Sequence, residues 1–462
     1  MPTNTLTTDA VVPIANHIVK LRFEDLPSSA VEVAKRFILD TIGTAIAGAS
    51  APGVQALLDE VIDNGGKPES TLWGLVGAQR LPSAAAALAN GVMAHARDFD
   101  DTHDAAIVHA NTSVLPAAFA MAECRRCSGR DMVLAVVLGV DLACRMGLAA
   151  PSLGGWIHSS TLAYFGSTAA AGKLAGLSVE QLVYAMGIVY SQVAGNTQCL
   201  IEGALSKRMQ PAFGARAGVF STLLAERGVT GPRQPLEGKY GFFNLYQQGN
   251  YSRERLLRNL GGEFESINLS MKPYPCCRAT HASIDTILQC LKETPFSAEE
   301  LESITVDVPP VVMDFVGRPF AIGPSPQVSA QFSIPYTVAT CILKKEIFIG
   351  DFEDETVVSS PAVELARRIT AVERRDVADP KAFVPIHMEI RLKEGRTIVR
   401  DAHLMKGSPE LPMTTDECIA KFKKCNDYAR SPLKASTVEA LIEQILALES
   451  VADVNQISGL WR

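Results

Sequence analysis

Three carboxylates within four residues, Asp98, Asp100 and Asp101, stand with Thr102, His103 and then His109 just beyond an alanine-rich stretch from Ser83 to Ala96. Like charges this close repel one another unless a metal ion or a set of hydrogen bonds holds them. Oxygen ligands of this kind suit magnesium or calcium, but the run has neither the glycine nor the distant glutamate of a calcium-binding loop. The plainer reading is helix capping plus solvated acids. The residues alone leave both open.

A second cluster is Lys207-Arg208, followed by Arg216. Adjacent cations usually form a solvated surface pair, yet Ala204, Leu205, Met209, Ala212 and Phe213 around them offer no acid. A ligand carboxylate would supply the missing partner. The third cluster runs from Met271 to His281, where Pro273 and Pro275 flank Tyr274 and stiffen a segment carrying Lys272, Arg278 and His281. In a cleft such a segment could hold carboxylates and move a proton; elsewhere it is a proline-rich linker. Cys276 and Cys277 read as buried structural thiols rather than nucleophiles. His158, in Gly154-Gly155-Trp156-Ile157-His158-Ser159, is a further side chain able to exchange protons near neutral pH.

The elements that must position these residues change character along the chain. Residues 1 to about 265 read as successive helices. Ser29 and Glu32 have capping-box spacing before Val33, Phe37, Ile38 and Thr41, and Ser178 with Gln181 repeats the device before Leu182, Ala185, Met186 and Val189. After Tyr274, alternation in Ile304, Val306 and Val308 and in Ile386, Met388, Ile390 and Leu392 predicts strands. Glu394-Gly395 would turn the last of these into Thr397–Val399 as a hairpin. Helices are expected from Ser329 to Leu343 and from Ser360 to Arg374. The pattern is helical again from Thr414 through Leu433, Leu441, Ile445 and Leu448, a segment too short for its own core, so it should pack back on the first domain. The middle is then an inserted α+β domain.

With 462 residues, 47% hydrophobic and 20% charged, the chain has the composition of an ordinary globular protein and the length for two domains. A net charge of −7 argues against general nucleic-acid binding. The most hydrophobic window, Met132 to Ala150, contains Asp141 and Arg145 and reads as a buried helix rather than a membrane span. The N-terminal residues do not read as a secretory signal, so a cytoplasmic location is expected. The ten cysteines are scattered, and the lone Cys124–Cys127 pair has no second pair to complete a zinc site. No G-x-S-x-G elbow, P-loop or strand-associated G-x-G-x-x-G occurs, against a serine hydrolase, a P-loop NTPase and a dinucleotide enzyme.

Taken in order, these segments resemble the MmgE/PrpD family, which includes 2-methylcitrate dehydratase, cis-aconitate decarboxylase and iminodisuccinate epimerase. The matches are Asp98-Phe99-Asp100-Asp101-Thr102 with His109, the Gly-Trp-x-His segment ending at His158, Lys207-Arg208, and Lys272-Pro273-Tyr274-Pro275-Cys276. Gln331-Phe332-Ser333 with Tyr336, and Lys406-Gly407 with Pro412-Met413-Thr414, extend the likeness across nearly the whole chain. The resemblance implies a mainly α fold with an α+β lid: a large all-helical domain from residues 1–266 and 400–462 and an inserted lid from residues 267–399. It also implies a homodimer with the site between the domains, and no required metal or other cofactor. It carries catalysis to His158, His109, Asp98, Lys272 and Tyr274, and substrate binding to Thr102, Lys207, Arg208 and Tyr336. The implied reaction is first a dehydration of a small di- or tricarboxylate such as 2-methylcitrate. Epimerisation of an imino- or hydroxy-diacid and decarboxylation of cis-aconitate are the alternatives, and a non-catalytic binding protein is the contrasting class. Cys277 occupies a position where the animal decarboxylase has a histidine, which weighs against decarboxylation. All three reactions move a proton next to a carboxylate, with cations neutralising the acid groups and a histidine carrying the proton.

Overall fold

The computed structural model describes residues 8–75, 77, 79–150 and 154–461. The ends of the expected helical domain, residues 1–7 and 462, lie outside that description.

One hydrophobic core is built from residues between Ala10 and Met271 together with residues Met413 to Trp461. Its central helices are Ser28–Gly48, Ser83–His95, Asn111–Arg125, Gly129–Ala149, Ala163–Leu174 and Gln210–Glu226. Small residues set how closely they approach. A Cβ on Gly139 would lie 2.6 Å from the carbonyl oxygen of Gly166, so these two helices touch backbone to backbone. Gly129–Ala149 is long and apolar enough to cross a membrane, yet 94% of its most apolar stretch is buried among neighbouring helices. Within it Arg145 bonds Asp141 at 2.7 Å and donates to the carbonyls of Arg258 and Glu263, which satisfies a charge pair that lipid would not.

The closing helices do pack back. Lys421, on the helix Thr415–Asp427, reaches Asp40 at 2.6 Å and the carbonyl of Phe99 at 2.9 Å. The C-terminal segment therefore braces the acidic run from behind.

A second core takes residues from Cys276 to Met405. Its four-stranded sheet has the order Ile369–Glu373, Leu301–Val308, Ile386–Leu392, Thr397–Ala402. The first pair is parallel and the others antiparallel, with Val306 opposite Met388 and Ile390 opposite Ile398. The alternating residues read from the sequence all point into the core, and Gly395 makes the hairpin turn at φ 86°.

Three local expectations are corrected. The helix Ser28–Gly48 begins directly after Pro27 with no side-chain cap, so Ser29 already lies inside the first turn and Glu32 pairs with Lys35 instead. The reciprocal cap does form at Ser178 and Gln181, and also at Ser128–Asp131 and Thr414–Glu417. The helix expected over Ser329–Leu343 is two helices, Pro326–Gln331 and Ile334–Lys344. Ser333 caps the second and Pro335 sits in its first turn, where a missing N–H costs nothing. Of the stretch Ser360–Arg374 only Ala362–Ala366 is helical. Ile369 to Glu373 joins the sheet edge, where Ile369 and Ala371 are buried on alternate positions.

Candidate active site

The three carboxylates of the acidic run are all buried, and each has a different partner. Asp98 sits at the end of the alanine-rich helix at φ 53°, a left-handed conformation that aspartate tolerates better than most residues. Lys207 donates to its Oδ1 at 2.7 Å, and Lys272 donates to its Oδ2 at 3.1 Å and to its carbonyl at 2.8 Å. Burial alone would raise the Asp98 carboxyl, but these two ammonium groups hold it far below the usual range. Lys272, itself wholly buried, is kept above the ordinary lysine value by Asp98 and Asp100 despite desolvation. Asp101 accepts from the N–H groups of Ala110 and Asn111 at the start of the helix Asn111–Arg125. The capping reading thus holds for Asp101, but none of the acids is solvated. Burial and the neighbouring Asp100 push its carboxyl up to about 7.

Asp100 holds two imidazoles. His95 Nδ1 lies 2.9 Å from its Oδ2 and His109 Nδ1 lies 3.3 Å from the same oxygen. Burial would raise this carboxyl, yet the two histidines keep it well below the usual range. His95 is pushed down to about 4 by burial and is neutral at physiological pH, so its Nδ1–H donates to Asp100. His109 Nδ1 also lies 2.6 Å from the Asp101 carbonyl, and His158 Nδ1 lies 3.1 Å from the Ala106 carbonyl. A carbonyl only accepts, so Nδ1 carries the hydrogen in both rings and Nε2 of the neutral form is the basic nitrogen. Both rings are set up to exchange a proton through Nε2. By composition His95, Asp100 and His109 could hold a metal ion, their candidate ligand atoms lying within 4.8 Å of one another. The hydrogen bonds just described account for the trio without one.

Lys272 owes its place to main-chain pairing. Thr102 and Ser270 exchange N–H to carbonyl bonds at 3.0 and 2.6 Å, and the Met271 N–H donates to the Gly407 carbonyl at 2.8 Å. Gly407 stands at φ 84°, and a Cβ there would meet the Met271 carbonyl oxygen at 1.9 Å, so only glycine permits this approach. Asp98, Thr102, His109, His158, Lys207 and Lys272 thereby line one cavity between the helical domain and the lid, with His95, Arg278 and Cys277 also at its wall. Its volume is about 150 Å³.

Residues 12–254 match the MmgE/PrpD N-terminal domain, and residues 274–447 match the MmgE/PrpD C-terminal domain. The chain belongs to the MmgE/PrpD family. This is an enzyme family. The MmgE/PrpD chain is 29% identical to the cis-aconitate decarboxylase-like protein oryM of Aspergillus oryzae, over 97% of this chain and 96% of that one. It is 28% identical to the cis-aconitate decarboxylase of Mus musculus, over 97% and 92% of the two chains. With the cis-aconitate decarboxylase of Aspergillus terreus it shares 25% over 95% and 93%.

Three of the residues carried over from the resemblance lie outside the MmgE/PrpD cavity. The Tyr274 hydroxyl donates to Asp285 at 2.8 Å, and Asp285 also accepts the Lys406 N–H. Tyr274 therefore clamps the loop that carries Gly407, and burial and Asp285 push its hydroxyl far above the usual range, unsuited to proton transfer. Tyr336 is buried in the lid core with its hydroxyl on the Asp351 carbonyl at 2.7 Å. Arg208 donates to the Pro52 carbonyl at 3.0 Å and to Gln327, and lines only a smaller neighbouring hollow. The expectation that Lys207 lacks an acid is also corrected, since Asp98 supplies it from 109 residues away.

Sequence reasoning missed His95, a lone histidine ending an apolar helix, whose Asp100 partner lies five residues on. Arg278 was within the segment singled out, but nothing there distinguished it from a surface arginine; it reaches Asp104 at 3.4 Å and the Lys406 carbonyl at 2.8 Å. Cys277 lines the cavity, but burial pushes its thiol up to about 11, so almost none is thiolate at neutral pH.

Proposed function

We propose that this protein decarboxylates a cis-aconitate-like unsaturated polycarboxylate without a metal ion. The observation that carries the reading is the meeting of Lys207, Lys272, His109 and His158 in one cavity, in a chain related along its length to decarboxylases. The lysines hold carboxylates and stabilise the negative charge that develops beside them. The carbon–carboxylate bond breaks and its electron pair forms a new double bond. The old double bond takes a proton at its far carbon from a histidine, and carbon dioxide leaves. The relatives move the reading from dehydration, which the resemblance put first, to decarboxylation. A thiol at 277 is compatible with it, because the proton carriers are His109 and His158.

A panel of di- and tricarboxylates in deuterium oxide tests this. Decarboxylation gives carbon dioxide and deuterated product in equal amounts. Release of water without carbon dioxide from a hydroxy acid would replace it by dehydration. Deuterium exchange into a diacid that is otherwise unchanged would replace it by epimerisation.

Prolonged dialysis against a strong chelator is expected to leave the rate unchanged, since the acids are held by lysines, histidines and main-chain N–H groups. A loss restored by magnesium, manganese or iron would show that the His95–Asp100–His109 trio binds metal.

We also propose a homodimer formed through the helical domain. Phe213 and Phe220, 40% and 50% exposed, stand seven residues apart and so on one face of the helix Gln210–Glu226, and Ile201 is 76% exposed. Light scattering is expected to give twice the 49.6 kDa chain mass; a monomer that persists at all concentrations would refute the dimer.

A further inference from the structure

Half of the cavity wall takes no part in the chemistry just described. Ile107, Trp156 and Leu200 from the helical domain and Phe315, Phe332 and Phe383 from the lid line it alongside the charged residues. Phe332 marks the border, its ring 5.8 Å from Lys207 Nζ. Resting on the polycarboxylate reading above, we infer that the substrate carries an alkyl substituent longer than methyl, and that its chain lies against this wall.

Two observations point there. The first is charge. Three cations line the cavity, Lys207, Lys272 and Arg278, but Asp98 is already paired with both lysines and Asp104 with Arg278. With the ionised Asp100 beside Lys272 as well, most of this positive charge is already answered, which suits an acid with fewer carboxylates than cis-aconitate itself. A carboxylate pressed against Phe315, Phe332 and Phe383 would lose its hydration with nothing to replace it.

The second is backbone conformation. Ile107 stands at φ 53°, in the left-handed region where a β-branched residue is an outlier. The turn itself is needed. The preceding carbonyl, of Ala106, fixes the His158 ring, the Ile107 N–H closes on the His103 carbonyl at 2.8 Å, and His109 follows two residues on. Glycine or asparagine would make this turn with less strain, so the geometry alone does not account for isoleucine. An apolar contact at the cavity wall does.

The test is equilibrium binding of succinate and its methyl, propyl and pentyl derivatives, with the same comparison on Ile107→Gly and Phe315→Ala. Phe315 is 36% exposed, so its loss spares the core. Affinity is expected to rise with chain length by as much as about fourfold per buried methylene, reaching at least tenfold from methyl to pentyl. In each variant the ratio of pentyl to methyl affinity should fall severalfold. Bare succinate bound as well as, or better than, every alkyl derivative would overturn the alkyl subsite while leaving the polycarboxylate reading intact. A chain-length gain untouched in both variants would also overturn it, by placing the chain elsewhere. No binding by any of these acids, with no deuterium or carbon dioxide from the wider panel, would bring down both.

Discussion

His158→Gln is expected to keep affinity for an unreactive dicarboxylate within about threefold while turnover falls by roughly 10²- to 10⁴-fold, the usual contribution of a general acid–base group. Glutamine retains an amide donor that can serve the Ala106 carbonyl, which in the native protein takes the His158 Nδ1–H, so the turn through Ile107 should persist. His109→Gln is expected to cost as much turnover and some stability besides. It removes one of the two imidazoles that hold Asp100 ionised, and that carboxylate is completely buried. Rapid-quench turnover and isothermal titration on both variants separate the tasks. Wild-type turnover in His158→Gln beside an inactive His109→Gln would assign the proton to His109 alone.

Lys272→Ala should damage binding and turnover together, lowering kcat/KM by about 10²-fold or more for a lost charge-assisted contact. Stability should fall as well. Lys272 is wholly buried and bonds both Oδ2 and the carbonyl of Asp98, so its removal takes a donor from these two buried acceptors while Lys207 stays on Oδ1. A stability loss of about 1 to 3 kcal/mol is expected from such unsatisfied groups. In Lys272→Ala the Asp98 carboxylate still pairs with Lys207, so adding Asp98→Asn, which leaves Lys207 without that acid, should restore none of the activity. Recovery of turnover in the double variant would show that Lys272 serves only to neutralise Asp98, and would remove it from the substrate site.

The order of motifs was enough to suggest the family, and period-two alternation was enough for two strands of the sheet, with the Glu394-Gly395 turn giving the third, because these signals are local. Ile304, Val306 and Val308 face inward for the reason read from the sequence: in a strand, alternate side chains share a face. Asp98, Thr102, His109, His158, Lys207 and Lys272, which the resemblance carried over together, line one cavity. Tyr274, Arg208 and Tyr336, carried over by the same resemblance, do not line it. Side-chain direction at the end of a rigid segment depends on the loop packed against it, here Asp285 and Lys406 for Tyr274.

Only the tertiary structure decided which charge answers which. Asp98 is paired with lysines 109 and 174 residues further along the chain, and Asp100 rather than Asp101 holds the histidines. Three adjacent acids are alike in sequence. Burial separates them, because a desolvated carboxylate must find its own partner and each of the three points in a different direction. The apolar wall was illegible for the same reason. Phe315, Phe332 and Phe383 are spread over a lid whose sequence shows only that they are hydrophobic. Local periodicity fixes which face of an element a residue occupies, but the packing of one domain on another decides whether that face meets a core or a cavity.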